Sequence, residues 1–292
     1  MRIMRSWMFV PGHQQRMIDK AYGLKLDVAM FDIEDGVPPG EKDTARSMMA
    51  ETLARPSTGM LRFVRIHPAG TKAIKADLPA VIQPGLDGLT LTKVNSPEDV
   101  LRVCAILDEQ EESAGLRQGS VRLLATIESA RGLIQAPAIA ASSHRLVGLM
   151  FGAEDFAMDL GLFNVRQGEA WDFLYARSAL VVAAASEGLQ AIDRVYTEIR
   201  NPAGLEKDTR LARDLGFTGK ALIHPAQIEV VEKVFRPTDA EVEYARRVVD
   251  AFEAAEAEGA GTVAVDGQMV DLPVVERARR VLQLVSVDSS EK

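Results

Sequence analysis

Eight short apolar runs, each followed by a polar turn, alternate with helical patterns along this chain. The runs Ser6–Val10, Val28–Ile33, Leu61–Ile66, Gly88–Lys93, Arg122–Ile127, Leu146–Phe151, Gln190–Asp193 and Lys220–Ile223 read as strands. Between them, stretches such as Glu41–Leu53, Pro97–Glu112, Trp171–Glu187 and Leu205–Leu215 carry the apolar spacing of amphipathic helices. Strands separated by helices pair in parallel, because a parallel pair needs a long crossover. Eight such units in 292 residues fit a closed (β/α)8 TIM barrel better than an open doubly wound sheet. No G-x-G-x-x-G turn follows any of the strands, which removes the support for a dinucleotide-binding sheet.

The barrel accounts for residues 1–236, and residues 237–292 form a C-terminal extension. Within it, Thr238–Glu258 reads as a long helix capped by Thr238 or Asp239. Gly259-Ala260-Gly261 breaks it, and Thr262–Asp271 reads as a hairpin turning at Asp266-Gly267. A last helix, Val274–Val285, has Pro273 in its first turn. A piece this small is expected to have no core of its own and to pack on the barrel or on a neighbouring subunit.

Bulk properties narrow the partners. The net charge of −8 argues against a nucleic-acid binder, since phosphate binding needs a surplus of Lys and Arg on one face. A single cysteine, Cys104, allows no intramolecular disulfide framework, so a cytoplasmic location is the simplest expectation. Cys104 lies in an apolar helical run and reads as a buried residue rather than a nucleophile. The N-terminus begins basic and then apolar, but Pro11-Gly12-His13 interrupts the run at once, unlike a signal peptide. No stretch approaches the ~20 apolar residues of a membrane helix.

In a parallel barrel, catalytic side chains gather at the C-terminal ends of the strands. Those ends read Asp32-Ile33-Glu34-Asp35-Gly36, Arg65-Ile66-His67-Pro68, Thr126-Ile127-Glu128-Ser129 and Phe151-Gly152-Ala153-Glu154-Asp155. Carboxylates from several strands therefore converge on one rim with an arginine beside them. Taken singly, a carboxylate after a strand more often caps a helix, and Arg65 alone reads as a salt bridge to Asp32 or Glu34. Together they pose a problem of charge, because several buried carboxylates without a cation are costly. A hard divalent cation such as Mg2+ resolves it, using few protein carboxylates and leaving positions for water and substrate oxygens.

The runs Arg5–Gly12, Asp32–Gly36, Val64–Pro68, Thr126–Gly132, Phe151–Gly161 and Lys220–Pro225 resemble, in order, the citrate lyase β-subunit family. That family sits within the malyl-CoA and citramalyl-CoA lyase group of aldolase-like barrels. The resemblance implies a carbon–carbon lyase that cleaves a 3-hydroxyacyl-CoA thioester to acetyl-CoA and a 2-oxo acid, or the reverse condensation. It implies Mg2+, or Mn2+ in its place, on Glu128 and Asp155. It also implies that Arg65 contacts the 2-oxo acid and that Glu34 and Asp35 stand behind the metal, holding its waters. Asp266–Pro273 resembles the family's lid, whose acidic residue, here Asp271, acts as general acid/base, often in a neighbouring subunit. Read locally, Asp271 is a helix cap.

For the CoA moiety, Arg16 and Lys20 stand one helical turn apart, and Gly12-His13 precede that helix with N–H groups near its N-terminus. His13 and His224 are further candidates for lining the site, and an ordinary solvated helix face is the alternative for Lys20. His67 replaces the asparagine frequent in the family, which bears on the polarity beside Arg65. The competing reading within the family is a citrate lyase β-subunit acting on citryl-acyl-carrier protein. The carboxylate-rich strand ends disfavour a phosphate-binding isomerase barrel, and a non-enzymatic scaffold leaves the charged rim without a cause. A lid exchanged between subunits implies a homo-oligomer with closed symmetry, such as a trimer or a dimer of trimers.

Overall fold

The computed structural model describes residues 3–163 and 170–290. It divides into two compact units, the larger spanning Ile3–Phe235 and the smaller beginning at Arg236. In the larger unit eight strands pair in parallel in sequence order: β1 (Ser6–Pro11), β2 (Val28–Asp32), β3 (Leu61–Ile66), β4 (Gly88–Leu91), β5 (Arg122–Ile127), β6 (Leu146–Phe151), β7 (Gln190–Asp193) and β8 (Gly219–Leu222). β8 pairs back onto β1 and closes the barrel. The crossovers carry α1 (Gln15–Tyr22), α2 (Lys42–Leu53), α3 (Ile74–Val81), α4 (Pro97–Gln110), α5 (Ala130–Ala140), α6 (Ala153–Asp159), α7 (Leu174–Ser186) and α8 (Pro202–Leu215), with α9 (Ile228–Phe235) after β8. The expected TIM barrel is the observed fold.

Local chemistry explains several helix limits. Ser96 and Asp99 form a reciprocal capping box at the start of α4, with Pro97 in the first turn. Ser129 accepts the Gly132 N–H to cap α5, and Asn201 accepts the Gly204 N–H to cap α8. α8 stops at Gly216, whose φ of 102° suits glycine alone. The sequence pattern hides α3 and α5, because Pro79 and Pro137 lie inside them. It also overextends β4. The strand ends at Leu91, and Lys93 turns into the left-handed region with φ 52°.

Strand alternation divides the core into two layers. Trp7, Met30, Phe63, Leu124, Met150, Ile192 and Ala221 belong to one buried cluster that supplies side chains from β1, β2, β3, β5, β6, β7 and β8, the barrel lumen. Trp7 and Phe63 meet there edge to face, with ring centroids 4.9 Å apart. The alternate residues, such as Phe31, Val64, Leu123 and Leu149, pack outward with the helices. Between β7, β8, α7 and α8 lies a buried ion network. Asp193 and Lys220 are cross-strand partners, and Lys220 Nζ also donates to Asp208 at 2.7 Å. Arg177 donates to both carboxylate oxygens of Asp193, at 3.0 and 2.9 Å.

The smaller unit contains α10 (Asp239–Ala257), the hairpin β9 (Val263–Val265) and β10 (Gln268–Val270), and α11 (Leu272–Ser290). Asp266 and Gly267 take φ values of 51° and 78°, as a two-residue hairpin turn with the strands' twist requires. The expectation that this piece lacks a core needs correction: Val248, Phe252, Val265, Val270 and Val275 pack into a cluster of their own. Two long helices closing over one hairpin are enough to enclose it. No helix among the described residues is long and apolar enough to cross a membrane.

Candidate active site

The lumen alternation continues past the apolar layer. Two residues beyond Met30 is Asp32, two beyond Phe63 is Arg65, and two and four beyond Leu124 are Thr126 and Glu128. All four line one cavity of about 590 Å³ at the C-terminal mouth, together with Asp155 from the first turn of α6. That volume is in the range of small-molecule sites. Its apolar wall includes Phe9, Met17, Leu24, Met150 and Val195.

Asp32 and Arg65 are register partners on β2 and β3. Arg65 Nε donates to Asp32 Oδ1 at 2.9 Å and Nη2 to Oδ2 at 2.6 Å, a bidentate pair. The same two Asp32 oxygens accept the backbone N–H groups of Glu34 and Gly36, at 2.8 and 2.9 Å. Asp32 is therefore fully committed to holding the arginine and the turn after β2. A Cβ on Gly36 would lie 2.1 Å from Asp32 Oδ2, so only glycine fits there. Arg65 also sits 3.4 Å from Glu34 Oε2 and over the Phe9 ring at 5.0 Å. Burial opposes its charge, but the Asp32 hydrogen bonds and charge outweigh this and hold it above its ordinary value.

Glu128 is buried one residue past β5. The Lys93 N–H donates to its Oε1 at 2.5 Å. Its Oε2 accepts no hydrogen bond among the described residues, and Gly152 gives it room: a Cβ there would lie 2.4 Å from it. Burial pushes the Glu128 carboxyl up to about 8, the Lys93 N–H works against this, and the Asp155 charge adds to it. Asp155 accepts no hydrogen bond from described residues either. These are the carboxylates that a divalent cation suits. Among the described residues no group of three or more His, Cys, Asp or Glu converges as a metal cage. Two carboxylates with uncommitted oxygens and an open cavity match Mg2+, which keeps several positions for water and substrate oxygens.

Glu34 and Asp35 stand beside this pair, with both Glu34 oxygens and one Asp35 oxygen engaged. Lys93 Nζ donates to Glu34 Oε1 at 3.0 Å and to Asp35 Oδ2 at 2.8 Å, while Glu34 Oε2 accepts the Asp35 N–H at 2.7 Å. Burial works against the Asp35 charge, but Lys93 overcomes it and holds that carboxyl below its ordinary range. The expected role for this pair, holding the metal's waters, thus competes with a lysine.

The other candidates divide. Lys20 and His224 line the cavity. His224 Nδ1 accepts the Ala226 N–H at 3.1 Å, so this ring nitrogen is used in its own turn. Arg16 is exposed on α1 and outside the cavity lining. The anion site expected at Gly12-His13 loses one donor, because the Gly12 N–H is spent on Asp32 O at 2.8 Å, continuing the strand pairing. His13 lies outside the cavity lining, and its Nδ1 is buried without a hydrogen-bond partner among the described residues. His67 does not face Arg65: its Nδ1 meets Asp77 Oδ2 at 2.7 Å, where the buried aspartate on α3 also takes the His67 N–H. Asp271 belongs to the smaller unit, where its carboxylate accepts the Val274 N–H at 3.4 Å at the start of α11. Sequence reasoning missed Lys93 as a site residue, although the strand-end rule reaches it. It also missed Thr126, whose Oγ1 is buried without a hydrogen-bond partner among the described residues.

Fold and mouth together define a TIM-barrel protein with a carboxylate-rich, arginine-anchored cavity at its C-terminal face. The chain belongs to the HpcH/HpaI aldolase/citrate lyase family, whose model matches residues 5–225. It is 39% identical over 284 residues to the citrate lyase subunit beta of Haemophilus influenzae, covering 97% of each chain. It is 34% identical over 293 residues to the mitochondrial citramalyl-CoA lyase of Rattus norvegicus, covering 97% of this chain and 86% of that one. Among solved structures, the CitE protein of Mycobacterium tuberculosis in complex with magnesium, acetoacetate and coenzyme A superimposes with a TM-score of 0.78 at 32% identity, covering 97% of this chain and 98% of that one.

Proposed function

We propose that this chain is a Mg2+-dependent carbon–carbon lyase for a 3-hydroxyacyl-CoA thioester of the citramalyl-CoA or malyl-CoA type. The products are acetyl-CoA and pyruvate or glyoxylate, and the same site serves the reverse condensation. The observation that carries the reading is the pair Glu128 and Asp155, whose uncommitted carboxylate oxygens face a cavity that also presents a pinned arginine.

Glu128 and Asp155 would hold the metal, which when bound supplies a Lewis acid for the keto and carboxylate oxygens of the 2-oxo acid. The chain's own groups do the rest. Arg65, fixed by Asp32, presents positive charge where oxygen charge develops. In cleavage the hydroxyl proton is removed and the bond between C2 and C3 breaks. Its electron pair passes to the α-carbon of the acetyl thioester, which then takes up a proton. Asp271 is the proposed general acid/base for these transfers, delivered by the lid of a neighbouring subunit in a closed homo-oligomer. The apolar wall excludes water from the enolate, and Lys20 at the cavity edge suits the anionic CoA chain.

A second reading, a citrate lyase β-subunit releasing oxaloacetate from citryl-acyl-carrier protein, is supported by the similarity to the Haemophilus influenzae subunit. One assay separates the two. Purified protein with Mg2+ is given citramalyl-CoA, malyl-CoA, citryl-CoA and citryl-acyl-carrier protein, and the products are resolved by mass. The proposal expects cleavage of a CoA thioester by the chain alone. Cleavage confined to the carrier-protein substrate overturns it in favour of the second reading.

A further inference from the structure

Lys93 is the residue that the strand pattern misplaces, and its geometry has two arms. Its backbone N–H, aimed by a left-handed turn, donates to Glu128 Oε1. Its side chain crosses to the β2 end and bridges Glu34 and Asp35. The turn is pinned on both sides. Asn95 Nδ2 donates to Lys93 O at 2.9 Å, and the Val94 N–H donates to Thr126 O at 3.3 Å.

The two arms have one consequence. Glu128, held by one oxygen, has the other left for an ion, while Glu34 and Asp35 each turn one oxygen to an ammonium, Oε1 and Oδ2. Four carboxylates line this cavity, Asp32, Glu128, Glu154 and Asp155, and Glu34 and Asp35 stand beside it on the turn after β2. Asp32 is consumed by Arg65 and backbone N–H groups. If Glu34 or Asp35 were free, a hard cation at the mouth could take it as a third protein ligand and lose a position needed by substrate.

We propose that Lys93 is a positioning residue that keeps Glu34 and Asp35 off the divalent cation, so that Glu128 and Asp155 alone hold it and its other positions stay open to the 2-oxo acid. This rests on the metal-site reading given under Proposed function. A lysine suits the task because its ammonium donates in three directions and competes with the ion for the same carboxylates.

The test uses Mn2+ alone as probe, counted free and bound by electron paramagnetic resonance, with water-proton relaxation reporting the waters left on the bound ion. Lys93→Gly removes the side chain and keeps the left-handed backbone, since glycine adopts that conformation freely. Lys93→Arg keeps a cation in place. The expected result is that Lys93→Gly binds Mn2+ about tenfold tighter, with fewer bound waters, and that pyruvate then binds the Mn2+-loaded protein about tenfold more weakly. Lys93→Arg restores both values toward wild type. Equal or weaker Mn2+ binding in Lys93→Gly overturns the proposal. So does tighter binding with unchanged hydration, which is the effect of lost charge without a new ligand. A wild-type protein that binds no Mn2+ overturns the metal reading itself, and this inference with it.

Discussion

Asp32 and Arg65, register partners on neighbouring strands, are joined by two hydrogen bonds of 2.9 and 2.6 Å at the floor of the cavity mouth. The pair sets the direction of a guanidinium that lines the cavity. Asp32→Asn keeps the volume but replaces one acceptor oxygen by a donor facing Arg65. Lyase activity should fall about 10- to 100-fold, the size of loss seen when a supporting partner of a site group is removed. Arg65→Lys should lose at least as much, because an ammonium cannot make the fork. Steady-state kinetics on both variants check this, with unchanged circular dichroism as the folding control.

Metal binding should depend on pH through Glu128. Its carboxyl, pushed up to about 8, is largely protonated at pH 7 in the metal-free protein. The ion needs the carboxylate, so binding releases close to one proton below pH 8 and about none well above it. Mg2+ affinity should therefore rise about tenfold per pH unit up to pH 8 and then level off. Calorimetric titrations in buffers of different ionisation enthalpy measure the proton count directly. A pH-independent affinity between pH 6 and 8 contradicts this.

The same shift has a stability sign. Glu128 binds its proton more tightly folded than unfolded, where its ordinary value is 4.5, so the metal-free protein loses stability as pH rises from about 4.5 to 8. At pH 7 the cost is roughly 3 kcal/mol. Glu128→Gln removes it, and the variant should melt higher than metal-free wild type at pH 7 while losing Mg2+ binding. Urea unfolding at pH 5 and pH 8, with and without Mg2+, reads both effects.

Much of this was legible in the sequence for a simple reason. Barrel strands announce themselves as apolar runs, and the alternation that buries Met30 and Phe63 carries Asp32 and Arg65 to the mouth. The proposed metal pair, Glu128 and Asp155, was legible as a strand-end pattern, and the family resemblance is what assigns it an ion. Long-range choices were not legible. Nothing local says that β4 stops at Leu91 and that Lys93 turns left-handed, because the carboxylate its N–H meets, Glu128, lies just past β5. Nor does the sequence say that His67 turns to Asp77 on α3 instead of toward Arg65. The Arg177–Asp193–Lys220 network was invisible for the same reason, since its members are far apart in the chain.

Gly152 tests the room at the metal pair without touching a charge. Gly152→Ala would place a Cβ 2.4 Å from Glu128 Oε2 and 2.5 Å from Glu128 Cβ, so the carboxylate must move. Metal affinity should fall about 10-fold or more. Gly40→Ala, with nothing within 4 Å of its added Cβ, is the matched control and should behave as wild type.

The buried network gives a prediction for the scaffold. Lys220→Met leaves Asp193 and Asp208 buried without the ammonium that bridges them. Breaking such a network from one side costs about 3–5 kcal/mol. A drop in the urea midpoint of that size is expected, with Mg2+ affinity unchanged in the protein that remains folded.

The central claim is that Glu128 and Asp155 hold the ion on which cleavage depends. Its most direct test is one titration: Mg2+ added to chelator-treated wild type and Glu128→Ala, following acetyl-CoA and pyruvate released from citramalyl-CoA, alongside calorimetric Mg2+ binding. The account predicts equal amounts of the two products from wild type, rising with the bound fraction of Mg2+, and neither binding nor product from Glu128→Ala. Wild-type cleavage that is indifferent to Mg2+, or a Glu128→Ala variant with unchanged metal binding and activity, would contradict it.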